Sequence, residues 1–283
     1  MSDSPVSVQS PAPAESVSPG LALITGAASG IGRYTAATLA ARGFRVAALD
    51  LDEAGLATLA AGHPRIHPLC CDVSDREDVD RAMERVLELA DGLALRIVTH
   101  CAGISPLGAV LDQSAAEIER VMRVNYLGTV HVAQATVPLL VAQGGGTFTA
   151  MASIAGYVPL TRIGAYSASK AAVLAFCEVL AAECRGTGVR FVCVCPAAVE
   201  TPMLQTLRVT HPETINDKPG IPPSAVLRAA EESLRRGRPL AFPGRGTATL
   251  WRARRLAPYR LTRVLDAVIK RQTRSGPGAA EPS

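Results

Sequence analysis

Leu21-Ala-Leu-Ile-Thr-Gly-Ala-Ala-Ser-Gly-Ile-Gly32 is a short apolar run that ends in glycines and passes into a helical pattern reaching to about residue 42. A buried strand that turns through glycines into a helix is the opening unit of a wound α/β sheet. The alternation continues outward from it. Arg45-Val-Ala-Ala-Leu-Asp50 reads as a second buried strand, and further strand patterns fall near 66–70, 95–99, 146–153, 189–195 and 239–242. Helical patterns lie near 75–89, 114–142, 165–185 and 224–236. Continuous apolar strands separated by helices indicate a parallel sheet covered on both faces. The expected fold is therefore α/β: one doubly wound, Rossmann-type domain over 20–243, with a parallel sheet of about seven strands. Residues 1–19 are rich in Ser, Pro and Ala and read as a disordered extension, and 244–283 reads as a basic, amphipathic helical tail with a disordered end.

Open parallel sheets bind ligands at the carboxyl ends of their strands, and the chemistry-bearing motifs sit there. In the first loop, the glycines and the amides of Gly26, Ser29, Gly30, Ile31 and Gly32 suit close approach of a pyrophosphate to a helix N-terminus. Asp50 ends the second strand, where a carboxylate accepts from both ribose hydroxyls of an adenosine and repels a 2′-phosphate. Leu51, not a basic residue, follows it. NAD is thus expected over NADP. Capping a helix is the other reading of Asp50, although Asp52 is better placed for that. Asp72 closes the third strand and either reaches the adenine amine or caps the helix near Asp75. In His100-Cys101-Ala102-Gly103 the small residues let a cofactor lie close.

Tyr166-Ser-Ala-Ser-Lys170 opens a long apolar helix pattern. Residues four apart share a helix face, so a phenol and an ammonium converge on one point. A nearby fixed positive charge lowers a phenol's pKa, and the pair can then exchange a proton with an alcohol or carbonyl. An exposed polar pair is the bland alternative.

Together these residues resemble the short-chain dehydrogenase/reductase family over about 21–243. The resemblance rests on the Thr25–Gly32 loop, Asp50, Asp72, Ala102-Gly103, Asn125, Ser153, Tyr166, Lys170 and Pro196. It implies that Tyr166 is the acid/base, and that Lys170 lowers its pKa and bonds the nicotinamide ribose. Ser153 would donate to the substrate oxygen, and Asn125 would hold a water that relays protons to Lys170. Thr201 would bond the nicotinamide carboxamide. Leu51, Val73, Cys101, Pro196 and Val199 complete the implied cofactor contacts, with Tyr157 beside Ser153 and Tyr166 at the substrate. Two departures stand out: Cys101 replaces the family's second Asn, and Ala197 follows Pro196 where the family has Gly. The implied assembly is a homodimer or homotetramer. A dinucleotide-sensing or scaffold protein of the same fold, without catalysis, is the competing function.

The stretches 104–111, 154–160 and 200–223 offer many apolar side chains and few charges, which favours an apolar alcohol or ketone as the small-molecule partner. At 48% hydrophobic and 4% aromatic, the core must be packed with Ala, Val and Leu. The seven cysteines form no Cys-x-x-Cys pair and no zinc spacing. No metal is expected, and the thiols read as reduced core residues of a cytoplasmic protein. Twelve Lys/Arg and one acid, Asp266, lie between Arg235 and Arg274, on a body of net charge −7. Leu261, Val264, Leu265, Val268 and Ile269 form an apolar helical stripe in that tail. It either docks on protein or, with Trp251 and the flanking arginines, makes a peripheral membrane contact over 244–274. No nucleic-acid recognition module accompanies the charge.

Overall fold

The computed structural model describes residues 19–158, 160–210 and 219–260. Seven strands form one sheet: β1 (Leu21–Thr25), β2 (Arg45–Asp50), β3 (Ile66–Cys70), β4 (Leu95–His100), β5 (Gly146–Met151), β6 (Val189–Val194) and β7 (Leu240–Ala241). Every pairing is parallel and the order is β3-β2-β1-β4-β5-β6-β7. The chain reverses its winding direction between β1 and β4, which opens a crevice at their carboxyl ends.

Helices α1 (Gly30–Ala41), α2 (Glu53–Ala61) and α8 (Pro223–Arg235) cover one face. Helices α3 (Arg76–Ala90), α5 (Gly128–Ala142) and α6 (Gly164–Glu183) cover the other, with α4 (Ala115–Met122) beside α6. The α3/α5/α6 face is one continuous core that includes Leu23, Leu49, Val98, Val132, Leu140, Phe148 and Phe191. The α1/α2/α8 face is instead split into two clusters. One gathers Ile24, Leu39, Val46 and Leu56, and the other Met151, Val192, Val194 and Val226.

The strand pattern holds to within two residues at each end, but the helices differ more. The expected single helix over 114–142 is three pieces: α4, a five-residue π-helical turn Arg123–Leu127, and α5. The wide turn sets Asn125 inward, where its amide bonds another segment. Two short helices, α2 and α7 (Pro202–Thr210), do not stand out in the sequence. Helix α6 is long and apolar enough to cross a membrane by length and composition alone. Here it packs Val173, Leu174 and Cys177 into the sheet-facing core.

The tail's first helix, α9 (Thr247–Leu256), is docked on the body. Trp251 packs 5.1 Å from Phe242, centroid to centroid, and Arg255 lies 4.8 Å over the Trp251 ring while pairing with Glu178. Of the two readings of the tail, Trp251 follows the first: it packs on the body through Phe242. The stripe from Leu261 to Ile269 lies outside the described residues.

Candidate active site and cofactor cleft

At the carboxyl ends of β1 and β4 lies a cleft of about 720 Å³. It is bounded by Gly26, Ser29, Gly30, Ile31 and Gly32 of the first loop, by Asp50 and Leu51, and by Asp72 and Val73. Cys101, Ala102, Gly103, Ser153, Tyr166, Lys170, Pro196, Val199 and Thr201 close it. The structure thus brings eighteen of the twenty residues singled out in the sequence to one cavity; Asn125 and Tyr157 lie elsewhere.

The first loop is built for close backbone approach. Gly26 has φ +65°, and a Cβ on it would sit 2.7 Å from the Ala102 nitrogen. A Cβ on Gly32 would lie 2.1 Å from the Gly26 oxygen, so no larger residue fits there. Helix α1 carries no acid in its first turn and aims its free N–H groups at the cleft. Asp50 braces this loop. Its Oδ2 accepts from Ala28 N at 2.9 Å and its Oδ1 from Asp52 N at 3.1 Å. Each oxygen retains a lone pair for a further donor. Asp52 caps α2, so Asp50 is free of that task. Asp72 likewise does not cap α3; Asp75 does, and Asp72 accepts from Ser74 N.

Thr25 Oγ1 anchors the β4 end, accepting from Cys101 N and Ala102 N at 3.2 and 3.3 Å. It also meets His100 Nδ1 at 2.8 Å. Burial, with the Lys170 charge nearby, pushes His100 down to about 3, so the ring is neutral. Burial pushes the Cys101 thiol up to about 12.

Ser153 caps a short 3₁₀ turn after β5, its Oγ accepting from Ala155 N at 3.1 Å. Its side chain opposes the effect of burial on the Tyr166 phenol, lowering that group's pKa. Lys170, 4% exposed, donates to the Met151 carbonyl at 2.8 Å and lies 5.7 Å from the centre of the Tyr166 ring. Burial lowers the ammonium to about 8. The expected lowering of the Tyr166 pKa by Lys170 is corrected. Burial, the larger influence, raises the phenol and Ser153 opposes that rise, while Lys170 gives one of its three N–H groups to the Met151 carbonyl.

Asn125 is fully buried. Its Oδ1 accepts from Ile104 N at 2.8 Å, and its Nδ2 donates to Ile104 O and Ser169 Oγ, both at 2.9 Å. It ties the loop after β4 to α6 behind the reacting groups. Ser169 and Met151 were missed in the sequence; Ser169 sits inside the Tyr166–Lys170 motif, while nothing marks a carbonyl. Tyr157, expected at the substrate, is a correction. Its hydroxyl donates to Thr247 O at 3.2 Å and its ring meets Phe242 edge-on, so it fastens α9 instead.

The substrate end is roofed by α7, with Met203, Leu204 and Leu207 facing Ile104, Leu160 and Ile163. Glu200 braces that roof, accepting two bonds of 3.0 Å from Arg208 and one from Gly220 N. A bidentate pair of this kind at the surface fixes geometry more than it adds stability. Arg208→Met is accordingly expected to raise the substrate KM about fivefold with kcat little changed, as steady-state assays would show.

The family model for short chain dehydrogenases matches residues 20–212. Probable oxidoreductase EphD of Mycobacterium tuberculosis is 37% identical over 203 residues, covering 70% of this chain but 34% of that protein. The chain thus spans about a third of the length of that relative. The 2-(R)-hydroxypropyl-CoM dehydrogenase of Xanthobacter autotrophicus is 35% identical over 68% of this chain and 79% of its own. A short chain dehydrogenase/reductase from Burkholderia phymatum, solved with NAD, superposes with a TM-score of 0.74 at 26% identity, over 84% of this chain and 93% of that one. On sequence, topology and site alike, the chain belongs to the short-chain dehydrogenase family.

Proposed function

We propose that the chain interconverts a secondary alcohol and a ketone with a nicotinamide dinucleotide, preferring NAD and taking an apolar substrate. The observation that carries this reading is the Ser153–Tyr166–Lys170 cluster, set on the wall of a cleft whose other end is the Gly26–Gly32 loop braced by Asp50. A binding protein without catalysis has no need of that phenol beside a buried ammonium. The named activity of the Xanthobacter relative, on a 2-hydroxypropyl compound, supports the same reaction class.

The cleft fits the cofactor. The space a Cβ would fill at Gly26 and Gly32 is closed by backbone, so the chain there is as thin as a pyrophosphate requires. The Asp50 carboxylate suits the adenosine ribose. When bound, the cofactor supplies or accepts the hydride. The chain's own groups do the rest. Ser153 holds the substrate oxygen by a hydrogen bond that strengthens as charge develops there. Tyr166 gives that oxygen its proton in reduction and takes it in oxidation. Lys170, positively charged below about pH 8, would hold the nicotinamide ribose with the N–H groups that Met151 does not take. Leu160, Met203, Leu204 and Leu207 exclude water and select an apolar body. The working state is taken to be a homodimer or homotetramer, as the resemblance implies.

A panel of secondary alcohols and ketones assayed with NAD and NADP tests the reading; no turnover of any pair with either cofactor would overturn it. Asp50→Ala is expected to raise kcat/KM with NADP relative to NAD by about tenfold or more, because one repelled charge is worth at least about 1.4 kcal/mol at such a site. A wild type that prefers NADP would show the Asp50 reading to be wrong.

A further inference from the structure

The α1/α2/α8 face of the sheet is not closed. Helix α1 lies over β1 and β2, α8 over β6 and β7, and the two helices meet, so the outer side of β4 and β5 lies beneath their junction. A second cavity of about 550 Å³ fills that space. It is the gap that separates the two core clusters on this face.

Its floor is a polar strip. Ile97 and Thr99 of β4 stand beside Thr147 and Thr149 of β5 in register. Thr99, Thr147 and Thr149 are each about 5% exposed or less, and among the described residues no group hydrogen-bonds their hydroxyls. Protein interiors are close-packed, with few voids larger than a water. A void of this size, floored by unpaired hydroxyls and walled by Leu39, Phe44, Leu227 and Leu234, is a built site rather than a packing fault.

The rim sets the ligand's charge. Arg42 at the end of α1 pairs with Glu231 of α8, and Arg235 pairs with Glu232. Arg190 of β6, exposed at the same rim, has no carboxylate partner among the described residues. One guanidinium is thus left over an apolar cavity that contains hydroxyl groups. Met151 lines both this cavity and the catalytic cleft, and its carbonyl holds Lys170. The site is therefore back to back with the reacting groups and separate from them.

We propose that this cavity binds an apolar-bodied carboxylate, its chain lying along the Thr99/Thr147/Thr149 strip and its carboxylate on Arg190. Calorimetric titration of the full chain, with NADH saturating, would use sodium decanoate as the probe and methyl decanoate as its uncharged counterpart. One decanoate per chain is expected. Leu227→Trp, which fills the cavity, should abolish that binding. Arg190→Gln, a surface change that leaves folding alone, should weaken decanoate about tenfold and leave the ester unaffected, as loss of a charged hydrogen bond predicts. Leu207→Trp, in the catalytic cleft, should change neither. Failure of wild type to bind decanoate, or binding that survives Leu227→Trp but is lost in Leu207→Trp, would overturn the proposal. The second pattern would place decanoate in the catalytic cleft and so leave the proposed reaction standing.

Discussion

Tyr166→Phe is expected to lower kcat by about a thousandfold, the middle of the range for a positioned general acid–base. The ring stays, so its packing beside Lys170 survives, and only the phenol oxygen is lost. NADH should bind with nearly unchanged affinity, because its backbone cradle and Asp50 are untouched. The two readouts are NADH absorbance under turnover and NADH fluorescence in titration. A variant retaining kcat within tenfold of wild type would remove Tyr166 from the proton path. A variant that lost NADH affinity as well would mean that the hydroxyl serves the cofactor and not the proton path alone.

Much of this architecture was legible because parallel strands buried on both faces must be apolar throughout. The runs ending in Thr25, Asp50 and Cys70 end where the structure ends them. The cofactor cleft was legible for a related reason. Its parts lie at strand ends, so locating the strands located the site. What the pattern could not convey was direction. Tyr157 follows Ser153 closely, yet the 3₁₀ turn rotates it away from the cleft and onto Phe242. Trp251 sits among arginines, as a membrane anchor would, but a preformed aromatic pocket takes it first. Asn125 lies within one unbroken helical pattern over 114–142, and the partners that make its wide turn worthwhile, Ile104 and Ser169, are 21 and 44 residues away. Thr147 and Thr149 read as ordinary strand formers; only the spacing of α1 and α8 makes them a cavity floor.

Lys170 carries the second large effect, and there activity and stability are expected to move in opposite directions. The ammonium is buried and its pKa is lowered to about 8, whereas an unfolded lysine titrates near 10.5. Between those values the unfolded chain binds more protons than the folded one, so this residue makes stability rise as pH rises. Below about pH 8 the full cost of burying the charge is present, about 3 kcal/mol at 1.36 kcal/mol per pH unit. Lys170→Met removes that cost but leaves the Met151 carbonyl without its donor, a loss of about 1–3 kcal/mol that does not depend on pH. Relative to wild type, the variant should therefore be equal or up to about 2 kcal/mol more stable at pH 7.5, and less stable by about 1–3 kcal/mol near pH 10.5. Its kcat should fall at least about a hundredfold at pH 7.5, since the nicotinamide ribose loses the ammonium that would orient it beside Tyr166. Urea unfolding of the cofactor-free protein at the two pH values measures the first effect, and NADH absorbance the second. A stability difference that is the same at both would show that Lys170 is not held as a strained buried charge.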